Sequence, residues 1–305
     1  MMRALRVWAV GLALASSAGC AFLRSDPPPP VYVPDRNEYA AFRAAHPWLL
    51  EPNYLPFLAH RMTLPGERDA MVLCRWADED MPIPVFVSSP TLGSEVQDEF
   101  LPREPAAFVA SVERALDTWE EHLEGLVRFR RVATPEAAKL HIELLGERAP
   151  IAGDAVAVLG ATRMADACRP LGWHPDEDRQ RVEFSVAQLR LYLADEFGLL
   201  SDDQVEWTAL HELGHALGMR GHSPIPADLM FEVARDRMTV SEGLSVQDVN
   251  SFVSLYRLPN GTVFARVPED GQVPPAERPP PTGPPLLALA PHVNVRLGFS
   301  LSLIH

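Results

Sequence analysis

The run His211-Glu212-Leu213-Gly214-His215 constrains this 305-residue chain more than any other stretch. Two histidines four positions apart converge when the backbone between them is helical, because about 3.6 residues make one turn. On such a helix both imidazoles lie on one face, close enough to share a metal ion. Neutral imidazole is a donor that suits Zn²⁺. Glu212 neighbours the first histidine, and from there its carboxylate reaches a water on that ion. Leu210, Leu213, Gly214 and Leu217 take other positions of the turn and would anchor the helix in a core. The plainer alternative is an amphipathic helix with two solvated histidines. The residues that follow argue against it. Gly218 stands three residues after His215, where a helix can stop. The chain can then turn back and bring His222 to the same ion, with Asp228 and Glu232 as alternative third ligands. Met230 follows His222 by eight residues, inside Asp228-Leu229-Met230-Phe231. Taken alone, Met230 would be an ordinary core methionine.

The stretch HELGHALGMRGHSPIPADLMF resembles the zinc-binding and Met-turn region of the matrixin branch of the metzincin peptidases. The resemblance implies His211, His215 and His222 as ligands of one catalytic zinc, Glu212 as general base and Met230 as the Met-turn residue. It implies Gly218 as the glycine that lets the chain bend after the helix. The third histidine comes one residue later than in the strict family pattern, where Gly221 stands here. An insertion at that point falls in a loop and leaves the helical pair undisturbed. Residue 232 is glutamate, so the tyrosine that astacin- and serralysin-like relatives place after the methionine is missing. The segment from Leu244 through Asn250 to Tyr256 resembles the final matrixin helix.

By the same resemblance the fold is α+β and zincin-like. It has a twisted, mixed, mostly parallel sheet with an antiparallel edge strand, an active-site helix, a Met-turn and a C-terminal helix. The implied activity is a zinc-dependent metalloendopeptidase acting on a protein or peptide bound as an extended strand. The alternatives are a zinc hydrolase of cell-wall peptides and a non-catalytic binding lipoprotein on this fold. Some matrixin loops bind calcium or a second zinc. His174 with Asp176, Glu177 and Asp178 is the candidate for that, against a solvated acidic loop as the plainer reading. His141 lies on an expected strand and reads as structural.

Hydrophobic periodicity places the other elements. Residues 105–123 have helical spacing, with Phe108, Val112, Ala115, Leu116, Trp119 and Leu123 on one side. Strands are expected at 83–88, 127–132, 139–145, 155–162 and 181–187. Prolines and a glycine at 170–175 predict a loop before the last of these. The strand at 155–162 is the one that the resemblance makes the substrate-binding edge. Ser201, Asp202 and Asp203 mark the start of the helix that carries the histidines, over 201–218. A last helix is expected over 246–258, capped by Ser245, with Val246, Val249, Val253 and Tyr256 buried.

The two ends carry other signals. Residues 1–20 read as an export signal, with Arg3 and Arg6 ahead of an apolar run at 7–15. Ser17-Ala18-Gly19-Cys20 resembles a bacterial lipoprotein signal that would place lipid on Cys20, although the family usually has leucine where Ser17 stands. The alternative is plain secretion with cleavage near Ala15 or Ala18. A lipid anchor would be the chain's membrane contact, at an outer membrane or cell surface. Without it the chain would be secreted or periplasmic. With Cys20 set aside, Cys74 and Cys168 remain, either as one disulfide or as two separate buried thiols. Cys74 capping the metal of a latent precursor is a further reading, of whose motif Arg75 alone is present. Residues 21–79 read as a proline-rich tether and an N-terminal extension or prosegment, with a short helix over 35–45 and an irregular stretch over 46–70. The catalytic domain is expected over 80–258, followed by a proline-rich tail over 259–305 with a possible terminal strand. With 41 acidic against 27 basic side chains, the chain has no electrostatic reason to seek nucleic acid.

Overall fold

The computed structural model describes residues 36–64, 68–90, 104–152, 156–163, 167–174, 179–186, 188–231 and 243–266. The export signal with Cys20, the proline runs and the expected terminal strand lie outside these residues. In chain order the helices are α1 (Arg36–Ala45), α2 (Pro105–His122), α3 (Asp202–Ala216) and α4 (Val246–Arg257). The strands are β1 (His60–Leu64), β2 (Arg68–Leu73), β3 (Ile83–Val87), β4 (Phe129–Arg131), β5 (Leu140–Arg148) and β6 (Ile151–Ala152). They continue with β7 (Val156–Ala157), β8 (Gly160–Thr162), β9 (Cys168–His174), β10 (Arg179–Phe184), β11 (Gln188–Ala194) and β12 (Thr262–Arg266).

One five-stranded sheet has the order β4-β3-β5-β11-β8. Its first four strands are parallel, and β8 runs antiparallel to β11 with Leu189 opposite Thr162 and Leu191 opposite Gly160. This is the mixed sheet with an antiparallel edge that the sequence led us to expect. Its fourth parallel strand, however, is β11 and not residues 181–187. Leu189, Leu191 and Leu193 alternate inward on β11 and are buried, as a strand between two neighbours requires.

The expected strand at 181–187 belongs instead to a second sheet, of order β1-β2-β12-β10-β9. Pro170, which suggested a loop before it, is accommodated at a bulge. Val182 pairs with Pro170 and Arg181 with Gly172, so Leu171 is left out of the ladder and half its surface is exposed. Residues expected to be irregular supply β1 and the first half of β2. Pro47, Pro52 and Pro56 precede the first strand and therefore do not interrupt its alternating burial. Beyond α4 the chain returns as β12 and pairs with β2, Val263 opposite Val72.

A disulfide joins Cys74, just after β2, to Cys168 at the start of β9. Its sulfur is thereby committed, which removes Cys74 as a cap on a metal. The hydrophobic core is continuous from Phe42 through to Ala265, so residues 36–79 pack as part of the same body. The expected face of α4 is buried at Val253 and Tyr256 and packs against the core at Val249, but not at Val246. Val246 is exposed, and Phe252, Val253, Leu255 and Tyr256 are buried together with Asp248, Ser251 and Ser254. The serines are inside because the extension needs them. Ser251 Oγ accepts from the Tyr54 amide at 2.8 Å and Ser254 Oγ from the Leu50 amide at 3.1 Å.

Candidate metal centre

Helix α3 starts where Ser201 and Gln204 cap each other. Ser201 Oγ accepts from the Gln204 amide, and Gln204 Oε1 accepts from the Ser201 amide. From Thr208 to Ala216 every residue is buried. Two indoles fix the helix in the core: Trp119 Nε1 of α2 donates to the Leu210 carbonyl at 3.0 Å, and Trp76 Nε1 to that of Ala216 at 2.9 Å. Leu217 closes the helix and Gly218 takes φ +130°. A side chain at Gly218 would be strained by that backbone and would also meet the Cys74 carbonyl oxygen, 2.7 Å from its Cβ. The bend expected after the helix is therefore present and tightly backed.

It brings His222 to the helical pair. The ring centroids of His211, His215 and His222 lie 5.0, 5.4 and 4.9 Å apart, and their ligand nitrogens are all within 4.8 Å of one another. Main-chain carbonyls fix which nitrogens face inward. His211 Nδ1 lies 2.8 Å from the Leu229 oxygen and His215 Nδ1 lies 2.7 Å from that of Met219. A carbonyl only accepts, so both Nδ1 atoms carry the proton and both Nε2 atoms keep a lone pair. Burial, reinforced by the neighbouring ring, pushes His211 down to about 3 and His215 and His222 down to about 4. All three are neutral donors at pH 7, and the set fits a divalent zinc-like cation.

Glu212 points from the same helix to the sheet edge. Its Oε2 accepts a hydrogen bond from Thr162 Oγ1 at 2.6 Å. Burial raises its carboxyl to about 7, and the Thr162 bond pulls the other way. Met230 lies against the helix between the histidines. A Cβ on Gly214 would sit 2.2 Å from Met230 Sδ, so the sulfur fills the space that glycine leaves. The Met230 carbonyl accepts from the Ser223 amide at 2.7 Å and closes the segment that follows His222. Asp228, the alternative third ligand, is engaged elsewhere. Its carboxylate accepts from Ser223 Oγ and from Ser245 Oγ. Glu232 and residues 175–178 lie outside the described residues. Among those described, the three histidines form the one group able to hold a metal.

Several neighbours had no sequence signal as site residues. Thr162 and Gly160 looked like two ordinary positions of the strand expected at 155–162. Trp207 stacks on His211 with centroids 5.7 Å apart. Asp248 read as a helix cap, yet it also accepts from the Leu229 amide at 2.9 Å and from Tyr54 Oη at 2.6 Å. It thus ties the Met230 segment to the N-terminal extension.

His60 on β1 is buried and lies against the Gly218 backbone at the bend. Burial, helped by the Arg220 charge, holds its imidazole down at about 4. The unfolded chain binds that proton below about pH 6.5 and the folded chain does not until about pH 4. The stability from neutral His60, about 3 kcal/mol, is therefore complete above pH 6.5 and lost as pH falls towards 4. Urea unfolding of His60→Leu checks this. Its deficit against the parent chain is expected to shrink by about 2 kcal/mol between pH 7 and 4.5. A deficit independent of pH contradicts the assignment.

The family model for Matrixin (Peptidase_M10) matches residues 95–257, more than half of the chain. This chain belongs to the matrixin family. The matrixin match runs from before α2 to the last residue of α4 and contains all three histidines, Glu212 and Met230. It makes the chain a zinc metallopeptidase by family, with a protein or peptide as its class of substrate. The strands β1, β2, β3 and β12 fall outside the matrixin region. A search of curated proteins found no match.

Proposed function

We propose that this chain is an exported zinc endopeptidase in which His211, His215 and His222 hold the metal and Glu212 is the general base. The observation that carries the reading is the convergence of three neutral imidazoles, two of them oriented by carbonyls through Nδ1. Zinc held there supplies a Lewis acid that acidifies the attacking water and polarises the scissile carbonyl. Glu212 lies next to the first ligand in the chain, buried and with its carboxylate held at one oxygen. It accepts the proton of the water and returns it to the leaving amine. Met230 is the Met-turn residue and forms the floor under the ligand helix. Gly218 provides the turn that carries the third ligand.

The outer edge of β8 pairs with no strand among the described residues. An extended peptide added there binds through its main chain, which suits unfolded or loop segments as substrates. The Cys74–Cys168 disulfide supports an oxidising compartment, in keeping with residues 1–20 as an export signal and Cys20 as the lipidated residue. Among the described residues no helix is long and apolar enough to cross a membrane. Incubating the purified mature chain with an unfolded, reduced protein tests the reading. Fragments are expected, a chelator is expected to stop their formation and added zinc to restore it. A chain carrying one zinc that leaves every unfolded protein intact overturns it.

A further inference from the structure

The base of a metallopeptidase needs a fixed position as well as a proton affinity, and here the sheet edge supplies it. Gly160 and Thr162 are two residues apart on β8, so both face α3. The Gly160 position holds the stem of Glu212. A Cβ there would lie 2.5 Å from Glu212 Cγ and 2.7 Å from Oε1, so that approach exists only because residue 160 has no side chain. Thr162 holds the head. Its hydroxyl lies 2.6 Å from Glu212 Oε2 and 3.0 Å from the Glu212 carbonyl oxygen. A hydroxyl has one proton, and the shorter contact to the carboxylate is the stronger acceptor.

We propose that Thr162 is a positioning residue for peptide hydrolysis, orienting Glu212 through its hydroxyl while Gly160 leaves room for the carboxylate. The proposal rests on Glu212 being the base and on β8 receiving the substrate. It adds a mechanical consequence. Thr162 sits on β8 beside the edge that a peptide would extend, and β8 is locked to β11 by the pairing of Leu189 with Thr162. One short strand then sets both the register of the substrate and the direction of the base, so the scissile carbonyl and the proton acceptor keep a fixed relation. With Oε2 engaged by Thr162, Oε1 is the oxygen left for the water.

The test compares Thr162→Val and Thr162→Ser with the parent chain, each loaded with zinc. Valine keeps the branched shape and removes the donor. Its kcat is expected to fall about tenfold or more, with KM within about twofold and zinc still one per chain. Serine restores the donor and is expected to return most of kcat. A crystal structure of the zinc-loaded Thr162→Val chain is expected to show the Glu212 carboxylate turned away from β8. Parental kcat in Thr162→Val overturns the proposal. So does a serine variant as impaired as valine, or a loss of kcat explained by loss of zinc. Should Thr162→Val fail to fold, Thr162→Ala makes the same comparison without added bulk. Glu212→Ala run alongside separates the two levels. If it keeps full turnover, the base assignment falls and this proposal with it. If it is inactive while Thr162→Val is normal, the positioning role alone falls.

Discussion

Replacing Glu212 with alanine is expected to leave zinc bound and to abolish peptide hydrolysis. The two halves of this result have different causes. Metal binding survives because the carboxylate lies outside the group of converging nitrogens and bonds instead to Thr162 Oγ1. Hydrolysis is expected to fail because, among the described residues, no other buried acid beside the three rings is placed to take the proton of a water. Asp228, the buried acid of the Met230 segment, is turned into the Ser223 and Ser245 hydroxyls. General-base removal costs about two to four orders of magnitude in rate, so kcat/KM on a fluorogenic peptide is expected to drop by at least about a hundredfold. Zinc content, measured on the same sample by atomic absorption, is expected to stay at one per chain. Normal turnover would remove Glu212 as the base, and an inactive chain that has also lost its zinc would recast it as part of the metal site.

The second large effect is on the metal. His222→Ala takes away the donor that comes from the bend and leaves the helical pair His211 and His215. Two imidazoles on one helix face do not complete a closed coordination shell. Zinc affinity is therefore expected to fall by about a hundredfold or more, beyond the loss that follows from disturbing a ligand's supporting hydrogen bond. The fold should persist, because the bend is held by other contacts. Gly218 rests against Cys74, His60 packs against the Gly218 backbone, and the Ser223 amide bonds the Met230 carbonyl. Competition with a chromophoric chelator measures the affinity. Asp228→Asn is the control and is expected to hold zinc like the parent chain. Parental affinity in His222→Ala, or its loss in Asp228→Asn, would move the third ligand away from residue 222.

Much of this site was legible in the sequence because it is built from local rules. The histidine pair follows from helical spacing, the helix start from the Ser201 cap, and the bend from Gly218. Helix α2 was equally readable, since Phe108, Val112, Leu116 and Trp119 repeat with the period that buries one face. What was not legible depends on partners far along the chain. Residues 179–194 alternate almost without a break, and period two does not say which sheet a strand joins. The chain leaves one sheet after Phe184 and enters the other at Gln188. Prolines before β1 hid an edge strand of a sheet in which β2 pairs with β1 on one side and with β12, from the other end of the described chain, on the other. The Cys74–Cys168 bond spans 94 residues and had two readings of equal standing until the strands brought the thiols together. The role of Thr162 arises across 50 residues of sequence, from a pairing register no local pattern encodes.

The central claim is that one zinc is held by three imidazoles, two from a buried helix and one from the bend beyond it. X-ray absorption spectroscopy at the zinc edge of the purified mature chain tests it most directly. The account predicts three nitrogen donors with the multiple-scattering pattern of imidazole, at about 2.0–2.1 Å, and one oxygen donor from water. In the His222→Ala chain one imidazole is expected to disappear from that pattern. A parent spectrum with two imidazoles and carboxylate oxygens, or one unchanged by the substitution, would contradict the account.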